Sequence, residues 1–216
     1  MTPYRLLLAS QSPRRRQFLS DLGIRFRAVN PDAEELSQGL PPDGLARENA
    51  RLKALAALPG RKARHLNELV LAVDTIVVLG SRVLGKPCSA REAEGMLAAL
   101  SGRTHEVISG LHLQVAGREG RAVTRSASTQ VTFRRLSRRQ IHWYVATGEG
   151  KDKAGAYGIQ CLGALLVERI DGCYFNVVGF PVGAFLDALD DLSIPLDGLL
   201  APNSDGFRAW RAMQGR

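Results

Sequence analysis

The segment LVLAVDTIVVLG (residues 69–80) is the most strand-like part of the chain, because aliphatic and β-branched side chains fill nearly all of its positions. Other strand patterns lie on both sides of it, with helical patterns between them. Such alternation is typical of an α/β architecture. The sequence therefore predicts an α/β fold with this segment as a buried strand.

Asp74 interrupts that apolar run. A buried carboxylate without a partner is costly, so we expect Asp74 to be paired, to hold a metal or to lie in a cleft. A hydrogen-bonded structural role is the alternative. Thr75 follows it and would point to the opposite face of a regular strand. Both side chains can meet one ligand only if the strand ends or bends there.

Capping and turn residues mark the limits of the other elements. A helix is predicted over residues 13–22. Ser12 is a suitable N-cap for it, and Gly23 is a suitable residue directly after its end. Two strands are expected to pair around GREG (117–120), and a last hairpin to turn at the Asp-Gly pair 171–172. The predicted strands are 5–9, 24–31, 69–80, 106–117, 121–136 and both arms of the hairpin within 164–179, with a return strand in 81–87; the predicted helices are 13–22, 44–58, 89–100, 137–150 and 180–192.

A chain of 216 residues, 45% hydrophobic and 23% charged, has the composition of a soluble globular protein. We expect one α/β domain over residues 1–195 and a loosely held tail over 196–216. Nothing approaches the roughly 18 apolar residues of a membrane span. The three cysteines form no C-x-x-C pair, which favours neither a disulfide framework nor a zinc site, and the default location is the cytoplasm. The net charge of +8 suggests an anionic partner without identifying it.

The stretch LLLASQSPRRR (6–16) places arginines at the start of a predicted helix, where the helix dipole disfavours cations. A serine-rich turn at a helix N-terminus exposes backbone N–H groups that bind anions, and guanidinium groups suit phosphate oxygens. We therefore interpret the stretch as a phosphate clamp, with Arg14 and Arg15 better placed than Arg16. A solvated basic surface is the alternative.

Three lysines are further candidates for phosphate contacts: Lys53, Lys86 and Lys153. Surface charge is the alternative for each of them, although a hairpin before Pro87 would fix Lys86 soon after Asp74. The stretch GEGKDKAGAYGIQ (148–160) lets backbone approach a ligand, with Tyr157 to stack and Gln160 to contact a base edge. A tight structural loop would explain its glycines equally well.

Taken together, these segments resemble the Maf family of nucleoside triphosphate pyrophosphatases. The resemblance extends in order over most of the chain, although each motif is weak alone. The matching segments are LLLASQSPRR (6–15), ARLKA (50–54), VDTIVVL with GKP (73–79 and 85–87), LSGRTHEV (100–107), GEGKDKAGAYGIQ (148–160) and NVVGFP (176–181).

The resemblance implies hydrolysis of a nucleoside triphosphate between its α and β phosphates, with Mg²⁺, Mn²⁺ or Co²⁺ as cofactor. It implies a long twisted mixed sheet flanked by helices, two lobes with a central cleft, and a homodimer. Asp74 takes the catalytic acidic position, as proton acceptor or metal ligand, and Glu34 or Glu35 an acidic position near the metal. The resemblance places the substrate-selectivity positions at Arg14, Thr75 and Gln160, and the polar and cationic positions lining the site at Ser10, Ser12, Arg15, Lys53, Lys86 and Lys153.

The segment DKAGAYGIQ (152–160) resembles sequences of the family branch that acts on dTTP and UTP rather than those of the branch that acts on 7-methyl-GTP. Two positions depart from the family pattern: Val73 replaces a small residue, and Gly150 replaces a frequent proline. A 7-methyl-GTP pyrophosphatase is the alternative enzyme.

A non-catalytic, basic regulator that binds nucleic acid or a division protein is the alternative of another class. The net charge and FRRLSRRQ (133–140) favour it, because phosphate contacts dominate such binding. The missing helix-turn-helix and zinc patterns and the few aromatic residues oppose it, so we expect no nucleic-acid partner.

Overall fold

The structure, a computed structural model, describes residues 4–58, 68–116 and 121–201 and positions 204, 205, 208 and 212. Its strands are β1 (Arg5–Ala9), β2 (Phe26–Val29), β3 (Glu68–Leu79), β4 (Arg82–Leu84), β5 (Thr104–Val115), β6 (Ala122–Phe133) and β7 (Val167–Asp171). Its helices are α1 (Pro13–Asp21), α2 (Pro42–Ala56), α3 (Ala90–Leu100), α4 (Arg138–Ala146), α5 (Tyr174–Val178) and α6 (Val182–Asp191).

These strands form one mixed sheet in the order β2-β1-β3-β5-β6-β7, with β4 also paired to β3. β1 is parallel to β2 and β3, because α1 and then α2 carry the chain back between them. The other pairings are antiparallel. Helices flank the sheet, and the α/β class with a long mixed sheet is confirmed.

One edge of β3 has a gap in its pairing. β1 pairs with β3 as far as Ala9 opposite Ala72, and β4 begins to pair at Leu84 opposite Val77. Residues 73–76 of β3 therefore have no neighbouring strand on this edge within the described chain, while β5 pairs along the whole other edge. Asp74 and Thr75 lie in this gap. The two side chains reach one cleft because the neighbouring strand ends, so β3 itself need not end or bend.

Buried apolar side chains on the two sides of this gap belong to different clusters. One cluster packs β1 and the first half of β3 against α1 and α6, including Leu8, Leu71 and Phe185. Another packs the second half of β3 against α3 and α4, including Val77 and Tyr144. The long strands β3 and β5 contribute to both clusters. Two lobes with a cleft between them are the result, as the family resemblance implies.

The predicted hairpin over 164–179 is wrong in its second arm. β7 forms the first arm, but the chain then enters α5 rather than a strand. The helical turn buries Asn176, whose amide donates to Val107 O at 2.9 Å and to Thr129 Oγ1 at 3.1 Å. Gly179, at a φ of 110°, then ends the helix. These tertiary contacts override the strand propensity of the segment.

The helix caps and chain ends refine other predictions. Ser12 is at the N-cap of α1 as predicted, but its side chain makes no capping hydrogen bond. Leu199 and Leu200, at the start of the predicted tail, are buried in the core, while most of the rest of that tail lies outside the described residues. The predicted turn at GREG also lies outside them. Within the described residues, we find no helix that is long and apolar enough to cross a membrane.

Candidate active site

A cavity of about 690 Å³ lies at the gap in β3. Its volume is in the usual range for a small-molecule site. The lining residues include nine of the residues predicted for the site: Ser10, Ser12, Arg14, Arg15, Lys53, Asp74, Thr75, Lys86 and Lys153. Glu35 also lines the cavity, whereas Gln160 and Glu34 are exposed side chains outside its lining. Of the two glutamates that the sequence offered, Glu35 contacts Lys53, which also contacts Asp74.

Arg14 and Arg15, which we call the arginine pair, connect the start of α1 to the end of α5. Nε of Arg14 donates to the carbonyl oxygen of Val178 at 3.2 Å, and Nε of Arg15 donates to that of Gly179 at 2.8 Å. The last carbonyls of a helix lack partners within it. The arginines supply donors there, so the structure explains why cations stand at the start of α1.

Arg15 is also fixed from the sheet side. Its Nη1 donates to Ser10 Oγ at 3.2 Å and its Nη2 to Thr75 Oγ1 at 3.0 Å. Thr75 Oγ1 in turn lies 2.9 Å from Ser109 Oγ. Burial lowers the pKa of Arg15 to about 10, and the nearby carboxylate of Asp74 opposes that shift. Arg15 therefore stays charged at neutral pH. Its hydrogen-bond partners are all uncharged, so they fix the guanidinium without forming a salt bridge with it.

Glu35, Lys53 and Asp74 form what we call the carboxylate cluster. Nζ of Lys53 lies 2.5 Å from Asp74 Oδ1 and 2.9 Å from Glu35 Oε1. The side chains of Lys53 and Asp74 are only 12% and 7% exposed, so water screens their attraction weakly. This pairing answers the question that Asp74 raised in the sequence, because a buried carboxylate has its cation beside it.

Two residues that assemble this cluster were missed from the sequence. Gly110 pairs with Asp74 across β5 and β3, and a Cβ added to it would lie 2.1 Å from the carbonyl oxygen of Ala46. Only glycine therefore allows α2 to pack directly on the sheet beside Asp74. Asn49 lies on the same helix and donates to Asp74 Oδ2 at 3.4 Å. A glycine inside an apolar strand was the available signal for this close approach.

The remaining lysines differ in how they are held. Lys86 is exposed and has no salt bridge among the residues that the structure describes. Lys153 is paired with Asp152 at 2.6 Å and donates to the carbonyl of Glu149. Tyr157 forms part of the wall near Lys153, and its hydroxyl lies 2.7 Å from His105 Nε2. Burial lowers the pKa of His105 to about 4 and raises that of Tyr157, so both are neutral at pH 7.

The donor set fits a hard divalent cation that it shares with a ligand. Asp74 and Glu35 each place a carboxylate oxygen next to the ammonium group of Lys53, so the two oxygens lie close to one position. Mg²⁺ is commonly held by one or two carboxylates together with substrate phosphates. The described residues contain no group of three His, Cys, Asp or Glu side chains suited to a metal. The cluster thus suits a cation that also binds phosphate oxygens better than one held by protein alone.

Comparison with known proteins places this site in a family. The model of the family described as Maf-like protein matches residues 5–192. A protein of Moorella thermoacetica named dTTP/UTP pyrophosphatase is 51% identical over 182 residues, covering 82% of this chain and 90% of that protein. One of Gloeobacter violaceus with the same name is 46% identical, covering 86% and 94%. The solved structure of a HAM1 protein from Coxiella burnetii is 17% identical with a TM-score of 0.46, and the match covers 88% of this chain and 96% of that one.

Proposed function

The chain belongs to the Maf-like protein family, and on that premise we propose that it hydrolyses dTTP or UTP to the nucleoside monophosphate and pyrophosphate. The relatives at 51% and 46% identity carry the name dTTP/UTP pyrophosphatase over nearly their whole length. The proposed enzyme removes such nucleotides from the pool.

The observation that carries the proposal is the placement of two opposite kinds of charge in one cavity. The arginine pair lies on one side of β3 and is anchored by uncharged groups only. The buried carboxylate of Asp74 lies on the other side. A triphosphate carries several negative charges, which arginine donors offset. A carboxylate beside it supplies the basic group that an attacking water needs.

The residues divide the work accordingly. The arginine pair, with Lys86 and Lys153, binds phosphate oxygens and offsets the negative charge of the bound triphosphate. Asp74 accepts the proton of the attacking water or holds the metal. Lys53 orients the carboxylate of Asp74 through its 2.5 Å contact. Gln160 stays a candidate for base selectivity, although it would have to move to reach the cavity.

Mg²⁺, Mn²⁺ or Co²⁺ is part of the proposal as cofactor, held by Asp74 and Glu35 in place of the predicted Glu34. When bound, such an ion offsets phosphate charge and acidifies water.

Two further predictions belong to the proposal. The free thiols of Cys88, Cys161 and Cys173 support a reducing, cytoplasmic location. A homodimer, with no nucleic-acid or membrane partner, is the expected assembly, and sedimentation equilibrium measures it.

Product analysis tests the function. The protein is incubated with Mg²⁺ or Mn²⁺ and with dTTP, UTP, CTP, GTP, ATP or 7-methyl-GTP separately. Monophosphate and pyrophosphate, formed fastest from dTTP or UTP, are the expected products. Activity on 7-methyl-GTP alone would overturn the substrate but keep the reaction. Release of orthophosphate would overturn the assignment of the cleaved bond. A protein that turns over no nucleotide and binds DNA in a salt-sensitive way would favour the nucleic-acid alternative.

A further inference from the structure

The loop over residues 30–40 forms one wall of the cavity without regular helix or strand structure. It carries Glu35, whose carboxylate lies 2.9 Å from Lys53 Nζ. Within residues 31–40, backbone hydrogen bonds to the rest of the described chain occur only at Leu36, and both go to Asn49. The backbone beside Glu35 is therefore held by a single side chain of α2, while Lys53 of the same helix contacts its carboxylate.

The side-chain amide of Asn49 pairs with both backbone groups of Leu36, in the way that a neighbouring β-strand pairs with a residue. Its Oδ1 accepts from the backbone N–H of Leu36 at 2.7 Å, and its Nδ2 donates to the carbonyl oxygen of Leu36 at 3.0 Å. Because the N–H of Leu36 can only donate, this pairing also fixes which end of the amide is oxygen. The same Nδ2 reaches Asp74 Oδ2 at 3.4 Å. Asn49 is 2% exposed, although it lines the cavity wall.

We propose that Asn49 is a positioning residue, which fixes the loop at Leu36 so that Glu35 is held against Lys53 and Asp74. The inference rests on the proposed function, because it assigns Asn49 to the proposed hydrolysis. Both amide ends of Asn49 are occupied by protein groups. Asn49 acts through Glu35, which directly precedes Leu36 in the chain.

Other side chains would not do the same. Leucine has a similar size but pairs with neither backbone group of Leu36. Aspartate can accept from the N–H but cannot donate to the carbonyl, and it brings a second negative charge to Asp74. Leu36 is 41% exposed, so water can replace the lost bonds and the fold survives. The expected consequence of losing Asn49 is a released loop, with the rest of the sheet intact.

A double-mutant cycle with Glu35 tests the inference. The variants are Asn49→Leu, Glu35→Gln and the two together, with Asn49→Ala as a second substitution in case the leucine variant does not fold. Glu48→Gln is the matched control, since it breaks a surface ion pair with Arg51 on the same helix. Steady-state kcat and KM with dTTP are measured, together with hydrogen exchange of the Leu36 amide.

We expect Asn49→Leu to lower kcat by about tenfold, as removing groups that orient a metal or catalytic residue commonly does, with KM changed less. In the Glu35→Gln background the same substitution is expected to change kcat by less than about twofold, because the group it positions is gone. The Leu36 amide is expected to exchange at least about tenfold faster in Asn49→Leu. Glu48→Gln is expected to leave all three quantities unchanged.

Two results would overturn the inference. One is a fall in kcat in the double variant equal to the product of the falls in the two single variants. The other is a Leu36 amide that exchanges as slowly in Asn49→Leu as in the wild type. Failure of the proposed function looks different. A wild-type protein that hydrolyses no nucleotide would refute both, whereas an active wild type with independent effects would refute only the role of Asn49.

Discussion

The two faces of β3 hold their charged side chains in opposite ways. On one face, Thr75 receives a hydrogen bond from Arg15, whose other partners are carbonyl and hydroxyl oxygens. On the other face, Asp74 contacts Lys53, which also contacts Glu35. One of two adjacent strand residues thus contacts a cation held by neutral hydrogen-bond partners, and the other is one of two carboxylates that share one ammonium. A cavity reaches both faces only because β1 ends before this point.

This difference has a consequence for how each side tolerates change. The arginine pair is held by neutral groups, so substitution there removes charge from the ligand and disturbs few other charges. In the carboxylate cluster, Lys53 and Asp74 are held by mutual attraction between largely buried charges, so removing either leaves the other uncompensated. The arginine side should therefore show its changes in substrate binding, and the carboxylate side in turnover and stability.

Asp74→Asn is the sharpest test of the carboxylate side. The amide keeps the size of the side chain but cannot accept a proton or carry charge, so kcat for dTTP is expected to fall by roughly 10³-fold. Binding of dTTP, measured by calorimetry, is expected to stay detectable because the arginine pair is intact. Full activity in the variant would remove Asp74 from the catalytic residues.

Gly110→Ala tests the same side through packing. The added methyl group would lie 2.1 Å from the carbonyl of Ala46, so α2 must shift and carry Lys53 and Asn49 with it. The free energy of unfolding, measured with denaturant, is expected to fall by about 2 kcal/mol, and kcat to fall as well. Gly95→Ala is the matched control, since open space surrounds Gly95 in α3 and alanine favours a helix. Equal stability of the two variants would show that the close approach of α2 is unimportant.

Local patterns predicted much of the fold and most of the cavity. The caps and turns around α1, such as Gly23 at a φ of 69°, depend on neighbouring residues and were found from the sequence. Asp74 was found because a carboxylate in an apolar strand needs a partner. The second arm of the hairpin was wrong because Asn176 is buried by contacts with β5 and β6, far away in the sequence.

The parts of the site that the sequence did not predict all depend on contacts between distant segments. Choosing between Glu34 and Glu35 requires the loop conformation that Asn49 sets at Leu36. The role of Gly110 requires knowing that α2 crosses β5 at that residue. The partners of the arginine pair lie at the end of α5, some 164 residues further along the chain. No spacing rule connects positions so far apart.

Arg15→Lys tests the arginine side. Lysine keeps the positive charge but loses the fork that reaches Gly179, Ser10 and Thr75 together. We expect kcat/KM for dTTP to fall by about tenfold, mainly through a higher KM. Arg16→Lys is the control, because Arg16 is outside the cavity lining, and it should change kcat/KM by less than about twofold. A large loss in kcat with unchanged KM would contradict the assignment of Arg15 to binding.

Gln160→Ala is expected to have the smallest effect, because the side chain is exposed and lies outside the cavity lining. The rate with dTTP or UTP should change by less than about twofold. If the loop over 148–163 moves Gln160 onto a bound base, the ratio of rates between dTTP and CTP will change more than the rate with dTTP. An unchanged ratio means that the cavity as it stands selects the substrate. An equal loss with all bases would make Gln160 a support of the loop that carries Lys153, because that loop presents its lysine to every nucleotide alike.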